Sequence, residues 1–124
     1  MDTFLGHQTT VDFYGCKSDK ISSCKFIEAT LLQAAKLLNL TVVNTTIHSF
    51  SPIGVSGVIV IEESHIAIHT WPEHHYIAID FFTCNTSYNL ESGLKWLKAQ
   101  FKAERFSTKE IKRGSLKDIQ DYKA

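Results

Sequence analysis

Apolar positions along this chain follow two periods. Thr10-Val11-Asp12-Phe13-Tyr14 alternates residue by residue, as a half-buried strand does, and Gly15 closes it. Ile21, Cys24, Ile27, Leu31, Ala34, Ala35 and Leu38 then recur at helical spacing. Ser18-Asp19 offers an N-cap and Asn39 a stop, so an amphipathic helix is predicted to run to about Leu38. The β-branched run Thr41 to His48 reads as a strand, and Ser51-Pro52-Ile53-Gly54 as a turn. Val55 to Ile61 is a near-continuous apolar strand. Ser64 to Trp71 alternates, with Ile66 and Ile68 facing one way and Ala67, His69 and Trp71 the other. Pro72-Glu73-His74-His75 turns the chain into another buried strand, Tyr76 to Thr83. Leu90, Leu94, Leu97 and Phe101 share one helical face, although Gly93 inside that helix costs about 1 kcal/mol relative to alanine. Phe106 to Lys112 can form a last strand, and Asp118 to Ala124 reads as a loose tail.

Written as an order, this is β-α-β-β-β-α-β. Helices separated by a run of strands predict an α+β fold, a two-layer sandwich with an antiparallel sheet and both helices on one face. The strands carry apolar residues on both sides, so the open sheet face is expected to be covered by a second copy in a homodimer.

Composition narrows the function. The chain has 124 residues, the size of a single domain spanning 1–124. Thirteen basic residues balance 13 acidic ones, and the basic positions from Lys95 to Arg113 read as a solvated helix face and a charged edge strand. A nucleic-acid partner is therefore not expected. The longest apolar run is too short to span a bilayer, and Met1-Asp2-Thr3-Phe4-Leu5 has no charged region leading into an apolar one, so neither membrane nor secretion is expected. Cys16, Cys24 and Cys84 are odd in number and form no CxxC pair, which fits a reducing, cytoplasmic setting.

Candidate chemistry centres on Ile61-Glu62-Glu63-Ser64-His65-Ile66-Ala67-Ile68-His69, where a serine follows two carboxylates at the end of an apolar strand. Polar groups taken out of water need partners, so such a cluster earns little in a plain strand. Ser64 can attack the Glu63 carbonyl and turn the amide into an ester. Loss of the serine α-proton then expels the Glu63 carboxylate and leaves dehydroalanine, whose hydrolysis yields a pyruvoyl group on a new N-terminus. His69 is a candidate proton carrier and Ser56 a candidate hydroxyl for that step. A pyruvoyl ketone forms a Schiff base with a substrate amine and takes up electrons as carbon dioxide leaves. Cys84, at the end of the next strand, is a candidate acid for the reprotonation. Taken singly, each residue also fits a plain structural role: Ser64 as a strand end, His69 as a satisfied core or interface histidine, Cys84 as an inert thiol. Zinc ligation by His65, His69, His74, His75 and Cys84 is a further possibility in principle. His65 and His69 would stand about 13 Å apart on one strand, too far to share an ion, so no metal is expected.

Four separated segments, in order, resemble the prokaryotic-type, pyruvoyl-dependent S-adenosylmethionine decarboxylases: Gly54-Val55-Ser56-Gly57-Val58, Glu63-Ser64-His65-Ile66, Ile68-His69-Thr70-Trp71-Pro72-Glu73, and Ala78-Ile79-Asp80-Phe81-Phe82-Thr83-Cys84. The resemblance spans roughly Leu5 to Gly114. It implies self-cleavage after Glu63 into 1–63 and 64–124, with Ser64 becoming the pyruvoyl cofactor. It implies that Ser56 and His69 assist processing and that Cys84 is the catalytic proton donor. It also implies that Phe50 stacks on the substrate adenine and that Glu73 holds the ribose. In that family the active site is shared across a homodimer, Ser64 and Cys84 from one protomer meeting Phe50, Ser56, His69 and Glu73 of the other. The implied activity is decarboxylation of S-adenosylmethionine for polyamine and spermidine synthesis. The chain departs from the usual family pattern at Gly6-His7-Gln8, where Gly-Arg-His is usual, and in His48-Ser49-Phe50-Ser51-Pro52-Ile53 before the turn. Both departures lie at the expected substrate end. Two other readings share the scaffold: a pyruvoyl-dependent decarboxylase of ornithine or arginine, and an unprocessed, non-catalytic paralogue.

Overall fold

A computed structural model describes residues 3–84 and 89–122. Six strands form one antiparallel sheet in the order β2-β3-β4-β5-β1-β6. They are β1 (Phe4–Tyr14), β2 (Val42–Ser49), β3 (Val55–Ile61), β4 (Ser64–Trp71), β5 (Tyr76–Thr83) and β6 (Arg105–Ser115). Two main helices, α1 (Cys24–Leu37) and α2 (Leu90–Phe101), complete the two-layer α+β sandwich, and a short α3 (Leu116–Gln120) follows β6.

Four strands, not three, lie between α1 and α2. Val55–Ile61 and Ser64–Trp71 are separate arms of a hairpin, joined by Glu62-Glu63 alone. Three boundaries also differ from the sequence reading. Ser23, not Ser18, caps α1, accepting from Phe26 N–H at 3.2 Å, while Ser18 caps a preceding 3₁₀ turn at Asp19–Ser22. The chain begins its first strand at Phe4, because β6 pairs with β1 as far as Phe4↔Ser115 and so supports residues that do not alternate. The tail is helical from Leu116 to Gln120, with Ser115 Oγ accepting from Asp118 N–H at 3.3 Å; residues 123–124 lie outside the described part.

Strand alternation decides which face is core. β3 buries Val55, Gly57, Ile59 and Ile61, and β5 buries Ile77, Ile79, Phe81 and Thr83. These pack under Ile27, Leu31, Ala34 and Ala35 of α1 and Leu94, Leu97 and Phe101 of α2 in a single cluster. Gly93 is explained by this packing. A Cβ there would sit 2.9 Å from Leu38 Cδ2, so glycine lets the end of α1 close onto α2. Asn39 takes the left-handed conformation (φ 58°) that ends α1.

The opposite face carries Ser56, Val58 and Val60 of β3, His65, Ala67, His69 and Trp71 of β4, and Tyr76, Ala78, Asp80 and Phe82 of β5. Val58, Val60, Trp71 and Ile111 are 39%, 42%, 39% and 45% exposed, so this face presents apolar side chains to solvent. Among the described residues no helix is long and apolar enough to cross a membrane.

Candidate active site

The Glu63-Ser64 bond sits at the tip of the β3–β4 hairpin. Ile61 and Ser64 close the turn as a cross-strand pair, leaving Glu62 and Glu63 as its two central residues. Ser64 has φ 151°, a region that residues with a Cβ avoid. Such a backbone costs of order 1–3 kcal/mol and persists only where neighbouring contacts hold it. Those contacts are present. The Glu63 carbonyl accepts from Cys84 N–H at 3.0 Å. The Glu62 N–H donates to Thr41 O at 2.9 Å, and Thr41 N–H donates to Glu63 Oε1 at 3.1 Å. Ser64 is paired with Thr83, so Cys84 lies one residue beyond the serine's direct neighbour, exposed at the end of β5. A carbonyl with an N–H already aimed at its oxygen is polarised in the sense that favours nucleophilic attack.

Ser56, His69, Phe50 and Glu73 gather at the other end of the same strands. Ser56 and His69 are a cross-strand pair, with Oγ and Nδ1 3.1 Å apart. When the imidazole proton is on Nε2, the Ser56 hydroxyl donates to Nδ1; in the other tautomer, Nδ1–H donates to the hydroxyl oxygen. The β2–β3 loop is closed by Phe50 N–H donating to Gly54 O at 2.8 Å, and Val55 N–H donates to Thr70 Oγ1 at 2.9 Å. This loop holds Phe50 52% exposed, edge-on to His48 with ring centroids 5.0 Å apart. Glu73 projects from a short 3₁₀ turn (Pro72–His74) that Pro72 starts and a left-handed His75 ends. Phe50, Ile53, His69, Trp71 and Glu73 line a single cavity of about 340 Å³. An aromatic wall, an imidazole and a carboxylate around one cavity suit a planar heterocycle carrying hydroxyl groups.

The structure thus divides the sequence-predicted residues into two groups and does not bring the groups together within one chain. Ser64 and His69 are five residues apart on β4, about 17 Å at the usual strand rise.

Two features were not anticipated from the sequence. One is the Thr41 grip on the turn, a main-chain contact across 22 residues that no motif announces. The other is a stacked row on the open face, running from Trp71 to Tyr76 to Tyr14, with centroids 5.3 and 5.5 Å apart and Arg105 Cζ 4.2 Å over Tyr14. Its signal lay in the register, since Trp71↔Tyr76, Tyr14↔Tyr76 and Tyr14↔Arg105 are direct pairs. Tyr76 donates its hydroxyl to Asp12, and burial, followed by that carboxylate, pushes the phenol well above its ordinary range. Among the described residues no three His, Cys, Asp or Glu side chains converge as a metal group.

The family model for S-adenosylmethionine decarboxylase matches residues 7–114. The S-adenosylmethionine decarboxylase proenzyme of Acidithiobacillus ferrooxidans is 47% identical over 112 residues, covering 90% of this chain and 84% of that protein. The proenzyme of the same name from Thermotoga petrophila is 42% identical over 115 residues, covering 93% and 88%. The crystal structure of the adenosylmethionine decarboxylase from Aquifex aeolicus superposes with a TM-score of 0.81 at 33% identity, covering 90% of this chain and 92% of that one. The Trypanosoma brucei AdoMetDC-delta26 monomer shares the fold at a TM-score of 0.61 and 18% identity, with 82% of this chain and 44% of that one covered.

Proposed function

Since this chain belongs to the S-adenosylmethionine decarboxylase family, we propose that it is a self-processing carboxy-lyase that acts on S-adenosylmethionine in polyamine and spermidine biosynthesis. The observation that carries this reading is the strained Ser64 directly after a Glu63 carbonyl that already accepts from Cys84 N–H at 3.0 Å. That arrangement fits the formation of a pyruvoyl group from Ser64.

Processing starts when Ser64 Oγ attacks the Glu63 carbonyl carbon. Charge develops on the carbonyl oxygen, where Cys84 N–H stands ready to stabilise it. The C–N bond breaks, the amine takes a proton, and Glu63 is left esterified to Ser64 Oγ. Removal of the Ser64 α-proton then breaks the Cβ–O bond and releases Glu63 as a C-terminal carboxylate. The enamine left at position 64 tautomerises to an imine, and water displaces ammonia from it. The α-proton needs a base, and His69, hydrogen-bonded to Ser56, is suited to the task.

His69 cannot serve the Ser64 of its own chain across about 17 Å of strand. It serves a second protomer, stacked through the open sheet face, so that each site takes Ser64 and Cys84 from one copy and Phe50, Ser56, His69 and Glu73 from the other. The exposed Val58, Val60 and Trp71 support a homodimer of this kind.

The ketone formed at residue 64 supplies an electrophile for the substrate amine and a sink for the electron pair left as carbon dioxide departs. The chain's own residues do the rest. Phe50 stacks on the adenine, Glu73 accepts from the ribose hydroxyls, and Cys84 delivers a proton to the carbon that lost its carboxylate. The free thiols fit a reducing, cytoplasmic setting.

Intact-mass measurement of the purified protein tests the reading. Two polypeptides, 1–63 and 64–124, the second with a ketone in place of its N-terminal amine, are expected. Active protein consisting only of full-length chain overturns it.

A further inference from the structure

The scissile residue is held at more points than bond polarisation requires. Cys84 N–H holds the Glu63 carbonyl oxygen, and Thr41 N–H holds the Glu63 side chain at Oε1, 3.1 Å away. Thr41 O also accepts from Glu62 N–H at 2.9 Å, so both central residues of the turn are tied to one anchor. The anchor is itself fixed. Leu40 is 8% exposed in the core, and its N–H donates to Ala35 O at 2.9 Å, which pins Thr41 to the C-terminal end of α1. A two-residue turn held at one place would relax by rotating the Glu63–Ser64 peptide plane. Held at both the side chain and the carbonyl of Glu63, it cannot, and Ser64 keeps the strained φ of 151°.

We propose that the Glu63 side chain is a positioning residue for self-cleavage, its Oε1 docked on Thr41 N–H so that the Glu63 carbonyl stays in the pose that Ser64 attacks. The proposal rests on the reading of Glu63-Ser64 as the cleaved bond. The role belongs to the acceptor oxygen and not to the charge. A carboxylate beside a carbonyl that must become an oxyanion opposes that charge, and its hydrogen bond to a main-chain N–H limits the penalty. A glutamine keeps the acceptor, the reach and the docking, and lacks the charge. The same contact keeps the newly made C-terminus beside Cys84 after scission, so the nicked turn stays in place at the mouth of the site.

Cleavage rates of the full chain, followed by pulse-chase translation and denaturing gels, test this. Glu63→Gln is expected to cleave within about twofold of the unaltered chain or faster, and Glu63→Ala about tenfold or more slowly, as small misplacements of reacting atoms cost. Melting temperatures are compared in a Ser64→Ala background, where no cleavage occurs; Glu63→Ala is expected to shift them by no more than about 2 °C. Normal cleavage of Glu63→Ala overturns the proposal and leaves the Ser64 reading standing. Equal slowing of both variants overturns it in favour of charge, and a large fall in melting temperature in favour of plain stability. An unaltered chain that never cleaves overturns the Ser64 reading itself.

Discussion

A dimer with shared sites makes a sharp prediction when two damaged chains are mixed. In the proposed mechanism, Ser64→Ala removes the nucleophile and His69→Ala removes the base. Within one chain the two residues are five positions apart on β4, about 17 Å, against the ~3 Å that proton transfer needs. Each homodimer is therefore defective in both of its sites. In a mixed dimer one site combines the Ser64 of the His69→Ala chain with the His69 of the Ser64→Ala chain and is whole, while the other site lacks both. Random pairing makes half the dimers mixed, and half their sites intact, so co-expression should restore about a quarter of normal activity. The two chains carry different affinity tags, cleavage is followed on denaturing gels, and activity is followed by carbon dioxide release. The cleaved chain must be the one bearing His69→Ala. A mixture no more active than its components, or full cleavage of His69→Ala protein on its own, refutes the shared site.

Cys84→Ala should still cleave, because the main-chain N–H at Glu63 O remains, yet lose about 10²–10⁴-fold in decarboxylation rate when single-turnover product is measured. Gly57→Ala places a Cβ against the Ile47 side chain in the buried face of β3. Overpacking of this kind costs about 1–3 kcal/mol, which thermal unfolding should register as a Tm lower by several degrees. Cys16 is fully buried, and burial pushes its thiol from 9.0 up to about 11. Its folded pKa lies above its unfolded one, so the folded state favours the neutral thiol. That contribution is complete below pH 9 and is lost as pH rises towards 11. Unfolding midpoints should fall more steeply across this window in the unaltered protein than in Cys16→Ala.

The strands that form the middle of the sheet were the most legible part of the sequence, because their burial follows the period of two almost without exception in β3 and β5. The start of β1 was not legible. Phe4 to Gln8 is held by pairing to β6, a partner about 100 residues away, joined from His7 onward by β5, and not by its own pattern. The short α3 escaped for a related reason: it buries none of its residues, so no apolar stripe marks it. Within the candidate site, Ser64, His69 and Cys84 stood out by residue type, and their mutual distance follows from strand geometry alone. Thr41 did not stand out, since its contribution comes from a backbone N–H that any residue but proline would supply.

The strand order β2-β3-β4-β5-β1-β6 decides what a cut after Glu63 would leave behind. The upstream piece would own β1, β2 and β3, and the downstream piece β4, β5 and β6. Because β1 lies between β5 and β6, the pieces are interlaced and not merely adjacent. Parting them means unzipping the β3–β4, β5–β1 and β1–β6 ladders together, which amounts to unfolding the domain. A nicked molecule would therefore behave as one body throughout its life and could not trade a spent half for a fresh one. Once residue 64 has been consumed by a side reaction, activity would return only with a newly translated chain.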